Sequence, residues 1–246
     1  MIPRLAALRR HPIKSVGVEA PERAELAAGA PMPLDRVWAV AHGRSPYDTG
    51  APAWENPNGF LRVTHSPRLA AVRAAWDGAR ATLTHPEADP LTADPETEGD
   101  AIAAWAGALA SDLQPGPWRL ARAPVAMTDV PEPWVAIGNL ASLRALSEHL
   151  GRPLEPERFR ANLWLDGLAP WEERAWPGRE IAVGAARLRV VEPIVRCAAT
   201  EANCATGRRD APVIAGLRAA CGAPEFAVYA EVVAGGAVAV GDPVDA

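Results

Sequence analysis

Cys197 is the residue of this sequence best placed to do chemistry, since it follows Arg196 just past a predicted strand. The strand 187–191 alternates polar and apolar residues and leads through Pro193 to this pair. A neighbouring cation favours the thiolate form of a cysteine, and thiolate is both a nucleophile and a soft metal ligand. A buried core cysteine beside a surface arginine is the alternative, and the pair alone leaves it open.

Three further clusters combine the residue types that bind anions. Lys14, the only lysine, precedes a hydroxyl and a glycine, an arrangement that offers an ammonium, a hydroxyl donor and free backbone amides. Arginine forks bind phosphate with two hydrogen bonds, and we expect Arg158 and Arg160, with Asn162, to share one side of an extended segment. The candidate anion-binding residues are Lys14, Ser15, Arg36, Arg158, Arg160, Asn162 and Arg196. Solvated surface charge is the alternative for each cluster.

Other acidic and cysteine residues are predicted to be incidental. Cys204 lies among turn residues and is expected to be exposed, whereas Cys221 is placed on the buried face of a helix. The spacing of the three cysteines does not make a zinc site. Glu172 and Glu173 are interpreted as a solvated turn.

The bulk composition excludes some classes of function. A net charge of -5 argues against nucleic acid as a partner, since phosphate backbones need clustered positive charge. No window approaches the roughly 18–20 apolar residues of a membrane span. An odd, low cysteine count without an export signal predicts reduced thiols and a cytoplasmic location.

The periodicity predicts a mainly β fold with a few helices (α+β). Strands are predicted at 4–8, 37–41, 69–76, 80–83, 162–165, 180–183, 187–191, 227–233 and 237–240. Helices are predicted to begin at Asp100, Asn139 and Asp210 as N-caps, and 86–99 is predicted to be a linking or inserted loop. A division near residue 120 gives two β-rich halves, 1–120 and 121–246.

The same clusters, in this order, resemble the family that joins an N-terminal MOSC β-barrel domain to a MOSC domain. The matching segments are His11-Pro12-Ile13-Lys14-Ser15, Asp35-Arg36-Val37-Trp38, Ala141-Ser142-Leu143, Arg158-Phe159-Arg160-Ala161-Asn162, Trp171-Glu172-Glu173, Arg196-Cys197 and Gly241-Asp242-Pro243-Val244. They extend over nearly the whole chain. Two departures stand out: Asn203-Cys204 replaces a usual Asp-Pro, and Ala227 replaces a usual Gly.

The resemblance implies a β-rich N-terminal domain packed on a MOSC β-barrel that binds a molybdenum cofactor (Mo-molybdopterin). Cys197 would be the metal ligand and the catalytic residue, with the anion-binding residues near the pterin and its phosphate. The implied activity is a molybdenum-dependent oxidoreductase that reduces a small N-hydroxylated substrate with electrons from a separate ferredoxin- or flavoprotein-type donor. The alternative is a non-redox sulfur carrier or cofactor-handling module that uses a Cys197 persulfide.

Overall fold

The computed structural model describes residues 2–48 and 50–246, which contain fourteen strands and three α-helices. The strands are β1 (Arg4–Leu8), β2 (Arg23–Leu26), β3 (Trp38–Ala41), β4 (Arg73–Trp76), β5 (Ala81–His85), β6 (Ala88–Ala93), β7 (Arg119–Arg122), β8 (Val135–Asn139), β9 (Leu163–Asp166), β10 (Glu180–Val183), β11 (Ala186–Val195), β12 (Glu225–Ala234), β13 (Gly236–Ala239) and β14 (Val244–Asp245). The helices are α1 (Gly99–Gly107), α2 (Leu140–His149) and α3 (Val213–Cys221), with 3-10 turns at Pro57–Gly59, Pro67–Ala71, Pro156–Phe159, Glu172–Ala175 and Ala198–Glu201. The predicted mainly β class is confirmed.

The largest sheet is a nearly closed barrel of seven strands in the order β1-β9-β8-β12-β11-β10-β14. All neighbours are antiparallel except β8 and β9. Its two edges meet where the Leu5 amide donates to the Asp242 carbonyl (2.9 Å) and the Gly241 amide donates to the Leu5 carbonyl (2.8 Å). Closure satisfies the edge backbone groups and encloses a core of alternating aliphatic residues.

The N-terminal half forms a second β-rich unit. It contains the three-stranded sheet β4-β5-β6, the pair β3-β7 and helix α1, around a core that includes Trp38, Leu61 and Ile102. Part of the first 32 residues belongs to the barrel: β1 pairs with β9, β2 pairs with β13, and Leu26 and Met32 pack in the barrel core. Between β1 and β2, Ile13 and Val16 pack in the core of the N-terminal unit, so the chain crosses from the barrel to that unit and back before it completes the unit.

Helices α2 and α3 cover the outside of the barrel. As predicted, Asn139 caps α2, its side chain accepting from the Ala141 amide at 2.8 Å. The other two predicted caps are wrong, since α1 and α3 begin after Glu98 and Pro212. Asp210 pairs with arginines instead.

Glu173 is buried at the start of α2, so the predicted solvated turn is wrong for this residue. Its carboxylate accepts from Asn139 Nδ2 (2.7 Å) and Ser142 Oγ (2.8 Å), and burial raises its pKa above the usual range. A carboxylate at a helix N-terminus also meets the positive end of the helix dipole.

Three local predictions differ from the structure. The predicted strand 69–76 is a 3-10 turn followed by β4, because Pro67 favours a helical start. The predicted loop 86–99 contains β6, in which Pro90 is exposed at the edge of its sheet. The segment that carries Arg158 and Arg160 is a 3-10 turn ending in a left-handed residue, and is not extended.

Candidate functional site

A cavity of about 410 Å³ lies between the two units and is lined by all eight predicted site residues. These are Lys14, Ser15, Arg36, Arg158, Arg160, Asn162, Arg196 and Cys197. The lining is cationic, although the chain as a whole carries a net charge of -5. Its six Lys and Arg residues (these five cations and Arg62) face two acids, Asp129 and Glu192. The cavity therefore has the charge to hold an anion.

Three of the lining residues adopt left-handed backbone conformations that L-amino acids seldom occupy. Their φ angles are +62° at Ser15, +55° at Arg36 and +50° at Arg160. Ser15 lies in a turn between β1 and β2, and Arg36 and Arg160 lie shortly before β3 and β9, so the conformation turns the chain sharply at the cavity wall. Such backbone costs about 1–2 kcal/mol per residue and is concentrated at functional sites.

Arg36 is fixed from behind by a buried pair. The Asp35 carboxylate bonds to Arg36 and accepts from the His11 backbone amide (2.7 Å) and His11 Nδ1 (3.0 Å). Burial lowers the pKa of His11 to about 3, helped by the charges of Arg160 and Arg36, so the ring is neutral at pH 7. Burial alone would raise the pKa of Asp35, but Arg36 and His11 outweigh it and hold the pKa well below its usual range.

Lys14 is buried, and its ammonium bonds to the exposed Asp129 carboxylate across the cavity. Burial lowers the pKa of Lys14, while Asp129 opposes that shift. Lys14 in turn holds the pKa of Asp129 well below its usual range. Lys14 therefore places a buried positive charge at the cavity, and its acidic partner is exposed.

Arg160 and Arg196 are half-buried residues whose guanidiniums have incomplete hydrogen bonding. Arg196 donates from Nε to the Phe226 carbonyl (2.8 Å) and from Nη1 to the Phe159 carbonyl (2.9 Å), but its buried Nη2 has no partner among the described residues. The one side-chain bond of Arg160 within that same part of the chain is a long one of 3.4 Å to the Gly17 carbonyl. Burial lowers the pKa of each to about 10, so both stay charged at neutral pH. Unpaired buried donors of this kind fit a phosphate.

Arg158 and Asn162 line the cavity and use most of their side-chain hydrogen bonds within the protein. Arg158 bonds to the Glu155 and Asp210 carboxylates, although its buried Nη2 has no partner among the described residues. Asn162 Oδ1 accepts from the Ala136 amide at 3.0 Å and its Nδ2 donates to the Arg9 carbonyl at 3.3 Å. Both therefore hold the cavity wall in shape.

The three cysteines have different surroundings. Cys197 is exposed at the cavity, and its Sγ lies 3.2 Å from Thr64 Oγ1. Cys204 is buried, so its predicted exposure is wrong, and burial raises the pKa of its thiol to about 12. Cys221 is half-buried, with Sγ bonding to the Leu217 carbonyl of its own helix.

Sequence reasoning missed the site residues that come from irregular segments. Thr64 lies in a turn of the N-terminal half, and Asp129 lies in the connection that leads to β8. Trp134 and Tyr229 also line the cavity, with ring centroids 5.5 Å apart. No local pattern distinguishes a turn threonine or a loop aspartate at the surface from one at a site.

Comparison with known families matches the chain in two parts. The model of the MOSC N-terminal beta barrel domain matches residues 2–111, and the model of the MOSC domain matches residues 128–245. No match was found among curated proteins. The predicted division near residue 120 falls between the two matched regions and stays a prediction.

The chain is also similar to solved structures. It is 13% identical to the YUAD protein from Bacillus subtilis over 99% of this chain and 94% of that one, with a TM-score of 0.47. It is 22% identical to YiiM from Geobacillus stearothermophilus over 45% of this chain and 52% of that one, with a TM-score of 0.36. For YiiM from Escherichia coli the identity is 23%, the coverage 45% and 52%, and the TM-score 0.34. The chain thus spans about half the length of the YiiM chains.

Residues 2–48 and 50–246 contain neither a membrane-spanning helix nor a cluster of metal-ligating side chains. None of the helices there has the length and hydropathy to cross a membrane. No group of three or more His, Cys, Asp and Glu side chains there could hold a metal ion.

Proposed function

This chain belongs to the family that joins a MOSC N-terminal beta barrel domain to a MOSC domain, and from that premise we propose that it is a molybdenum-cofactor oxidoreductase that reduces N-hydroxylated compounds. MOSC domains are associated in general with molybdenum cofactor binding. We further propose that the cofactor is Mo-molybdopterin and that the electrons come from a separate donor protein.

One observation carries it: a single cavity contains an exposed thiol and several cations, of which Arg62, Arg158 and Arg196 each have a buried nitrogen without a partner among the described residues. The pterin cofactor combines a phosphate with a thiophilic metal, and this lining offers partners for both. Arg160, Arg196 and Lys14 would hold the phosphate end, and Cys197 would be the protein's ligand to the metal. Arg158 and Asn162 would keep the wall rigid.

The cofactor, when bound, supplies the two-electron redox chemistry of the site. The overall reaction is R–NH–OH + 2 e⁻ + 2 H⁺ → R–NH₂ + H₂O, in which the N–O bond breaks and its oxygen leaves as water. The protein's own residues bind and orient. The Asp35–Arg36 pair fixes a positive charge on the wall, and Trp134 with Tyr229 narrows the space open to a small substrate. A separate ferredoxin- or flavin-type protein would deliver the electrons.

The first test is the molybdenum and pterin content of protein purified from molybdate-fed cells. We expect metal in the wild-type protein and its loss in Cys197→Ala, because the variant lacks the thiolate ligand. Cys221→Ala is the matched control, since this half-buried thiol lies outside the cavity, and it should keep its metal. If Cys197→Ala kept both its metal and its reductase activity with reduced methyl viologen, the proposed mechanism would be wrong.

The exposure of Cys197 also suits a sulfur carrier, because a persulfide must reach its acceptor. Intact-protein mass spectrometry separates the two functions. A one-sulfur adduct on Cys197 in protein that contains neither molybdenum nor pterin would favour the carrier.

A further inference from the structure

Thr64, a residue of the N-terminal unit, contacts the proposed ligand Cys197 with its side chain. Thr64 Oγ1 lies 3.2 Å from Cys197 Sγ, although the two residues are 133 positions apart in the chain. When both groups are protonated, either atom can donate. Once the sulfur is ionised or bound to a metal it has no hydrogen, and the threonine hydroxyl must be the donor.

The turn that carries Thr64 is fixed by a buried amide. Within the turn, the His65 amide donates to the Arg62 carbonyl at 3.0 Å. Gln114, which is 1% exposed, accepts through Oε1 from the Arg62 amide (3.1 Å) and from Ser66 Oγ (2.8 Å). The turn therefore has little freedom to move away from the sulfur.

The same turn is tied to the chain that follows Cys197. The Arg209 guanidinium donates to the Thr64 carbonyl and to the Ala198 carbonyl, so it links the backbone of Thr64 to that of the residue after Cys197. Hydrogen bonds from both halves of the chain therefore hold the residues on either side of the contact between Thr64 and Cys197 in place.

We infer that Thr64 is a positioning residue that donates a hydrogen bond to the sulfur of Cys197 and so restrains its orientation and its donor strength toward a bound metal. A hydrogen bond to a metal-bound thiolate fixes the orientation of the sulfur and tunes its donor strength, as outer-sphere partners do at other metal sites. The role of Thr64 toward a bound metal rests on the proposed function. The hydrogen bond from Thr64 to the free thiol of Cys197 does not depend on that function.

Two substitutions separate the hydrogen bond from the packing of the side chain. Thr64→Val keeps the branched shape and removes the hydroxyl, whereas Thr64→Ser keeps the hydroxyl and removes a methyl group. Because Thr64 is half-buried in a turn held mainly through its backbone, neither change should unfold the protein. Circular dichroism and thermal melting verify the fold of each variant.

The first readout uses the protein without metal. Infrared difference spectroscopy records the S–H stretching band of Cys197, and subtraction of the variant from the wild-type spectrum cancels Cys204 and Cys221. We expect Thr64→Val to shift this band toward that of a free thiol and Thr64→Ser to leave it in place. A band that is unmoved in Thr64→Val would overturn the inference, whatever the protein's function is.

The second readout uses protein loaded with molybdenum. Thr64→Val should change the electron paramagnetic resonance spectrum of the Mo(V) state and speed the loss of metal on dialysis about tenfold, the usual lower effect of removing an outer-sphere partner. Thr64→Ser should restore both. Wild-type spectrum and metal retention in Thr64→Val would overturn the role toward the metal. Failure of the protein to take up metal at all would instead count against the proposed function, with the infrared result unaffected.

Discussion

Ala227 is an alanine in a backbone conformation that favours glycine, and this lowers the stability of the fold. It lies in β12 with a φ of +66°, where the family pattern has glycine. The left-handed conformation costs an L-residue about 1–2 kcal/mol. The adjacent Phe226 carbonyl holds Arg196, so this twist in the strand is part of how the cavity wall is built.

We expect Ala227→Gly to change the free energy of unfolding by less than about 0.5 kcal/mol. The substitution loses the burial of a methyl group, about 0.8 kcal/mol, and adds the conformational entropy of glycine, about 0.5–1 kcal/mol. Removal of the strain of the positive φ offsets both costs. Ala230→Gly in the same strand is the control, since Ala230 is equally buried but lacks a positive φ. Because it relieves no strain, Ala230→Gly should lower the free energy of unfolding by about 1.3–1.8 kcal/mol. Urea denaturation measures both, and equal losses would show that Ala227 is not strained.

At the level of single residues, the sequence predicted the candidate site residues whose chemistry depends on their immediate neighbours in the chain. The arginine before Cys197 and the hydroxyl after Lys14 are visible locally, and the structure brings both pairs to one cavity. Burial of Cys204 was not visible, because it depends on contacts with segments far away in the chain. Turn composition alone indicates exposure.

Among the elements, the loop that carries Cys204 and Arg209 depends on a close backbone approach at Gly207. This glycine has a φ of +66°, and a Cβ there would lie 2.6 Å from Arg68 Cα and 2.9 Å from the Arg68 carbonyl oxygen. The loop thereby packs onto the 3-10 turn Pro67–Ala71, which directly follows the Thr64 turn.

Gly207→Ala should lower the free energy of unfolding by about 2–4 kcal/mol, since it adds overpacking, about 1–3 kcal/mol, to a backbone cost of about 1 kcal/mol. Gly151→Ala is the matched control: its φ is +64°, but a Cβ would meet nothing within 4 Å. It should show the backbone cost alone. Thermal and urea unfolding compare the two, and equal effects would mean that the close approach to Arg68 is unimportant.

The elements that the sequence predicted well are those with a clear period or cap, such as β10, β1 and the Asn139-capped α2. β8 was missed, because all five of its residues are buried and no polar alternation marks it. β6 was missed because Pro90 indicates a loop unless the strand is known to lie at an edge.

Considered as a whole molecule, the chain folds so that its first strand closes a barrel with strands of the C-terminal half, while most of the chain between β2 and β8 builds the second unit. No local pattern specifies that β1 pairs with β9, 159 residues further along the chain. The resemblance to a family could supply that pairing, and physical reasoning on the sequence could not. The cavity is a product of this topology, because its walls come from segments between Lys14 and Tyr229.

The stability of the whole molecule should depend on pH through His11, the neutral histidine behind the cavity. Its pKa is about 3 in the folded protein and about 6.5 when unfolded. Between these values the unfolded chain binds one proton more, so the free energy of unfolding falls as the pH falls, by up to about 1.4 kcal/mol per pH unit. The depressed pKa of Asp35 adds its own loss only below about pH 4, near its unfolded value.

His11→Asn removes this titration while the amide can still donate to Asp35 in place of Nδ1. Between pH 6.5 and 4.5 the wild-type protein should lose about 2 kcal/mol more stability than the variant, because only its unfolded state gains the proton. The exposed His149 is the control, and His149→Asn should follow the wild-type curve. Urea titrations at each pH measure the difference. Parallel curves for wild type and His11→Asn would mean that His11 binds its proton equally in the folded and unfolded states, so that neither burial nor the cations of the cavity lower its pKa.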